Sequence, residues 1–108
     1  MKDYSGSNTS ICGEKSPGHL LYLKEIINTF PTAKVIILNR DGRDCINSLM
    51  RVPWNRHNRD QTALKWSFRM NLVKKAKKKW NSNVLLIKYE DLILDEQNQL
   101  EKMLRFLN

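Results

Sequence analysis

From His19 to Phe30 the apolar residues Leu20, Leu23, Ile26, Ile27 and Phe30 recur at spacings of three and four, which predicts an amphipathic helix. Pro17 stands just before it and Pro31 closes it, because proline lacks the N–H that a helix interior needs. The period then changes. Lys34 to Asn39 reads Lys-Val-Ile-Ile-Leu-Asn, a short and nearly unbroken apolar run rich in β-branched residues. Such a run predicts a strand buried on both faces, as in a parallel sheet. After a Gly-containing turn at Arg40 to Arg43, a short helix is expected from about Asp44 to Arg51, halted by Pro53. A polar loop from Val52 to Arg59 leads into a long helix from Gln61 to about Trp80, with Asp60 as its expected cap. Its broad inner face is expected to hold Leu64, Phe68 and Leu72 beside Trp66, Met70 and Val73. Asn81-Ser82-Asn83 breaks that helix, and Val84 to Ile87 predicts a second buried strand. Leu100, Met103, Leu104 and Leu107 mark a last amphipathic helix.

Helix, strand, helix, helix, strand, helix is an alternation that implies right-handed crossovers and a parallel sheet. The fold class is therefore α/β. Two strands are few for such a sheet, which needs cover on both faces and further neighbours. The chain thus reads as part of a larger α/β domain, with 1–12 a flexible polar lead and 13–108 the domain portion.

Composition sharpens this picture in one place. The 108 residues carry a formal net charge of +8, from 19 Lys and Arg against 11 Asp and Glu. Eight of the basic residues (Lys65, Arg69, Lys74, Lys75, Lys77, Lys78, Lys79 and Lys88) lie between Gln61 and Tyr89, where there is no acid. The remainder of the chain is balanced, so the positive field is local and suits a negatively charged ligand or partner. A specific nucleic-acid module is disfavoured, since aromatics are not interleaved with these lysines and no reader motif accompanies them. Cys12 and Cys45 would allow one disulfide but have no metal-ligand spacing, so no metal is expected. No apolar run approaches the roughly 20 residues of a transmembrane helix, and the polar first ten residues lack a signal-peptide core. The cytoplasm is then the default compartment. Asn8-Thr9-Ser10 fits the glycosylation triplet, a pattern common by chance.

The strand-turn-helix from Lys34 to Arg51 is where chemistry concentrates. Ligands of open α/β sheets bind beyond the carboxyl ends of the strands, and Arg40 stands at that end of the first one. Arg43 and Asp44 open the next helix, and Ser48 lies one turn beyond Asp44 on the same face. A helix N-terminus attracts anions, a guanidinium clamps phosphate in two prongs, and a serine hydroxyl donates a further bond. The set suits a phosphomonoester. The same charges also fit a plain alternative, in which Arg40, Asp41, Arg43 and Asp44 are turn and cap residues in mutual ion pairs.

Four segments lie here in one order: Gly13-Glu14-Lys15-Ser16-Pro17, Phe30-Pro31-Thr32-Ala33-Lys34, Arg40-Asp41-Gly42-Arg43-Asp44 with Ser48, and Tyr89-Glu90-Asp91-Leu92. Together they resemble the middle and later part of a sulfotransferase that uses 3′-phosphoadenosine 5′-phosphosulfate (PAPS), over about Gly13 to Asn108. Lys15 and the Gly42-Arg43 turn resemble the tyrosylprotein branch, and the spacing is close to carbohydrate-directed and bacterial members. The resemblance implies a three-layer, P-loop-like α/β/α fold and transfer of a sulfuryl group to a hydroxyl or amine. It implies that Arg40 and Ser48 bind the 3′-phosphate of PAPS, that Tyr89 lies near the adenine or its phosphate, and that Lys15 is catalytic. An ammonium there would offset charge developing on the leaving phosphate oxygens. Each has a structural alternative: Lys15 as a surface lysine, Tyr89 as a packing residue at a strand end.

The family's phosphosulfate-cradling Gly-Arg-Ser-Gly loop has no counterpart upstream of Gly13. This departure implies a fragment or truncated relative, with the Golgi lumen as compartment if it is a eukaryotic one. Two other readings stand beside transfer: an inactive module that binds 3′-phosphoadenosine nucleotides, and a basic interaction module built on the lysine-rich helix. Glu90 and Asp91 read as helix-start caps, Glu14 as structural or solvated, Trp66 as core, and His19 and His57 as surface residues without partners.

Overall fold

The computed structural model describes residues 12–107, so the lead over 1–11 and its Asn-Thr-Ser triplet lie outside the described residues. The predicted first helix forms in two parts. Pro17–Tyr22 is a 3₁₀ turn, capped by the Ser16 hydroxyl accepting from the Gly18 N–H, and α1 comes next over Leu23–Thr29. Proline at the first position and a serine cap start the chain turning two residues earlier than apolar spacing indicates. Phe30 closes α1 with its N–H on the Ile26 carbonyl, and Pro31 prevents continuation.

β1 (Val35–Asn39) and β2 (Val84–Lys88) pair in parallel, in a register that sets Val35 opposite Val84 and Asn39 opposite Lys88. The predicted α/β class is borne out. Between them, α2 (Gly42–Leu49) and α3 (Arg59–Lys79) make the crossover; α4 (Tyr89–Leu94) and α5 (Glu96–Leu107) come after β2. β2 buries Val84, Leu85 and Ile87 almost completely. β1 departs from the prediction of burial on both faces: none of its residues is fully buried, and Leu38 is 53% exposed. Among the described residues β1 has one strand neighbour, so its outer edge and part of one face stay open.

The core forms where α1 and α3 cross the sheet. Leu23, Ile27, Ala76 and Val84 are buried together, with Val35, Ile37 and Trp80 against them. Strand alternation explains the membership, since Val35, Ile37 and Val84 share one face in this register. α3 begins one residue before Asp60. Its cap is Asn58, whose side chain accepts from the Gln61 N–H while the Gln61 side chain accepts from the Asn58 N–H. This reciprocal box satisfies two end groups and displaces the single cap expected from Asp60.

α3 is also rotated relative to expectation. Thr62, Val73 and Ala76 are buried, whereas Leu64 is 71% and Phe68 57% exposed. Apolar residues are spread nearly all round this helix, so periodicity alone does not single out a face. The buried Thr62 hydroxyl is satisfied by donating to the Asn58 carbonyl at 2.8 Å. At the other end, the Lys77 ammonium donates to the Val84 carbonyl at 2.8 Å, tying α3 to β2. Asn83 holds the opposite strand entry through bonds from its amide to the Pro31 and Ala33 carbonyls, 2.8 and 3.0 Å long.

Candidate functional site

Parallel pairing in register brings both strands to their carboxyl ends side by side, so the residues just after Asn39 meet those just after Lys88. Arg40 and Tyr89 are therefore neighbours. The guanidinium carbon of Arg40 lies 5.1 Å from the centre of the Tyr89 ring, a cation–π contact. The same guanidinium reaches the Asp44 carboxylate, in the first turn of α2, at 3.6 Å. That ion pair directs Arg40 along the helix face on which Ser48 stands one turn further.

Asp41 caps α2, which starts two residues earlier than expected. Its carboxylate accepts from the Arg43 N–H at 2.8 Å and from the Arg43 guanidinium at 3.1 and 3.0 Å. The Arg43 side-chain bond, then the backbone bond, lower the Asp41 carboxyl from its ordinary 3.8 to about 2. The plain ion-pair reading of these charges is thus realised for Arg43 with Asp41 and for Arg40 with Asp44. It does not exhaust Arg40, whose side chain is 42% exposed.

Glu90 does something the sequence did not indicate. Expected as a cap of its own helix, it also accepts from the Asp41 N–H at 2.8 Å, across 49 residues. That bond, more than any other influence, lowers its carboxyl below the ordinary range. Between these groups opens a cleft of about 350 Å³, lined by Asn39, Arg40, Gly42, Trp66, Lys88 and Glu90 among others. The Asn39 side-chain oxygen is buried without a hydrogen-bond partner among the described residues. Trp66 packs against the first turn of α2: a β-carbon on Gly42 would sit 2.9 Å from two of its ring carbons. Glycine is required here by close approach, not by backbone conformation.

Of the four residues singled out from sequence, the fold brings Arg40 and Tyr89 together. Ser48 is exposed on α2 and outside the cleft lining, and Lys15 is exposed ahead of the 3₁₀ turn, also outside it. Both histidines have partners, contrary to expectation: His19 meets Glu14 at 2.9 Å and His57 contacts the Lys65 ammonium. Cys12 and Cys45 are free thiols, and burial pushes the Cys45 thiol up. Lys88 and Asn39 could have been found from the strand ends, but Trp66 and Glu90 have no local signal.

A model of the Sulfotransferase family matches residues 2–108. The chain belongs to the sulfotransferase family. The resemblance carried by the four ordered segments is thereby borne out. This sulfotransferase-family chain is 29% identical over 94 residues to protein-tyrosine sulfotransferase A of Caenorhabditis elegans, covering 82% of the chain and 24% of the relative. It therefore spans about a quarter of that relative's length. No solved structure matches it. Among the described residues no helix is long and apolar enough to cross a membrane, and no cluster of three or more His, Cys, Asp or Glu is placed to hold a metal ion.

Proposed function

We propose that residues 13–108 form the 3′-phosphate-binding part of a sulfotransferase that uses PAPS and transfers its sulfuryl group to a hydroxyl or amine. The observation that carries this is the placement of Arg40. Tyr89 beneath it and Asp44 beside it hold a permanently charged fork on a residue that lines the cleft.

The donor set fits a phosphate. Arg40 supplies the two-pronged contact, Lys88 lines the same cleft and adds a second cation, and the exposed Ser48 hydroxyl, free of hydrogen bonds among the described residues, extends the series along α2. Asp44 holds Arg40 through a half-exposed pair, of the kind worth at most about 1 kcal/mol, so a dianionic phosphate can take it over. PAPS when bound supplies the activated sulfuryl group. The residues of this chain bind and orient, and positioning of that kind accounts for much of the catalysis in related group transfers. Lys15 would neutralise charge on the leaving phosphate only if its segment folds towards the cleft.

Adenosine 3′,5′-bisphosphate binding, measured by calorimetry on the intact protein, tests the reading. Arg40→Ala should weaken binding at least tenfold, since a charge-assisted contact is worth roughly 1.5–3 kcal/mol. Undetectable binding to the wild type, or binding indifferent to Arg40→Ala, would refute it. A second reading, a module that binds the nucleotide without transferring from it, is favoured by the position of Lys15 outside the cleft. Sulfuryl transfer from radiolabelled PAPS by this chain alone would exclude that second reading.

A further inference from the structure

Glu90 presents a contradiction if the cleft receives an anion. Glu90 lines the same cleft as Arg40 and Lys88, and elementary electrostatics says its carboxylate should repel phosphate. A glutamate in the first turn of α4 would ordinarily serve that helix's own N-terminus. Its carboxylate also accepts the N–H of Asp41, the peptide group directly after Arg40. Tyr89, the preceding residue, lies under the Arg40 guanidinium. Two consecutive residues at the start of α4 thus grip two consecutive residues just after β1, one by backbone and one by side chain.

The grip is needed because the turn is otherwise free on that side. Asp41 is fixed towards α2 by capping Arg43, but its own N–H precedes the helix and has no intrahelical partner. With that N–H held by Glu90, the backbone that carries Arg40 is secured from both directions. We propose that Glu90 is a positioning residue for the phosphate site: it holds the Arg40-Asp41 peptide so that Arg40 faces the incoming phosphate, an effect that outweighs its charge repulsion. This rests on the reading of Arg40 as the phosphate contact.

The two contributions of Glu90 have opposite signs, so two substitutions separate them. Glu90→Gln keeps a side-chain oxygen to accept the Asp41 N–H and removes the charge; Glu90→Ala removes both. Calorimetry with adenosine 3′,5′-bisphosphate on the intact protein should find Glu90→Gln at least as tight as wild type. Glu90→Ala should be about tenfold weaker, the scale of one hydrogen bond to a charged group. In an Arg40→Ala background the alanine and glutamine variants should bind alike. Equal tightening by both variants, or weakening by Glu90→Ala that persists without Arg40, overturns the proposal. If the wild type binds no nucleotide, the reading of the site fails separately, and NMR of the free protein still decides the role of Glu90. The Arg40 Nε–H resonance should shift in Glu90→Ala well beyond its shift in Glu90→Gln, whereas the Asp41 amide, whose acceptor changes in both, moves in both. An Arg40 resonance unmoved in Glu90→Ala overturns the positioning role.

Discussion

Gly42→Ala sets two well-characterised effects against each other at one atom. Gly42 is the first residue of α2, with negative φ, so alanine can adopt its backbone. On propensity and unfolded-chain entropy alone the substitution should stabilise the fold by about 0.4–1 kcal/mol. The added β-carbon, however, would lie 2.9, 2.9 and 3.0 Å from three carbons of the Trp66 indole. Carbon contacts are best at roughly 3.5–4.0 Å, so the overlap is about half an ångström or more against a rigid ring. Trp66 is half-buried on the same side of α3 as Thr62 and Val73, which limits its retreat. Overpacking of this sort costs about 1–3 kcal/mol. The clash wins, and a net loss of about 1 kcal/mol is expected, lowering the melting temperature by about 4–8 °C. Urea unfolding of the intact protein measures the loss directly. The same substitution in a Trp66→Phe background removes the outer ring, so there Gly42→Ala should be neutral or stabilising. Gly42→Ala at least as stable as wild type in the native background would refute the close-approach argument.

Two further predictions address the charges. Lys77→Met removes the ammonium bonded to the Val84 and Asn81 carbonyls. It should cost ~1 kcal/mol in urea unfolding, whereas exposed Lys78→Met should stay within about 0.5 kcal/mol of wild type; equal effects would show that Lys77 is merely another surface lysine. Asp41, lowered to about 2 from 3.8 by Arg43, binds its proton more weakly folded than unfolded. Its stabilising contribution is therefore complete above about pH 4 and lost as pH falls towards 2. Glu90 is lowered too and acts in the same direction. The urea midpoint should fall less steeply over that acid range in Asp41→Asn than in wild type, and superimposable pH profiles would contradict the assignment.

Much of the fold is legible from local pattern. The strands at Val35–Asn39 and Val84–Lys88 come from short unbroken apolar runs and the terminal amphipathic helix from its period, because backbone geometry ties burial to local sequence. Arg40 at a strand end is legible for the same reason. The departures share one cause. Leu64 and Phe68 face outward because apolar residues surround α3, leaving its rotation to be chosen by contact with α2 and β2. Asn58 displaces Asp60 as cap through a reciprocal pair whose geometry forms only once the helix does.

Local residue order is enough to place the alternating elements and a phosphate-suited arginine after the first strand, and four segments in order along the chain are enough for the family. Which groups surround that arginine is set by packing. Strand register brought Tyr89 and Glu90 to Arg40 and Asp41, and the rotation of α3 laid Trp66 on Gly42. Those contacts join residues far apart in sequence. Their energies depend on distances of a few ångströms, which packing of the whole chain sets and local composition does not.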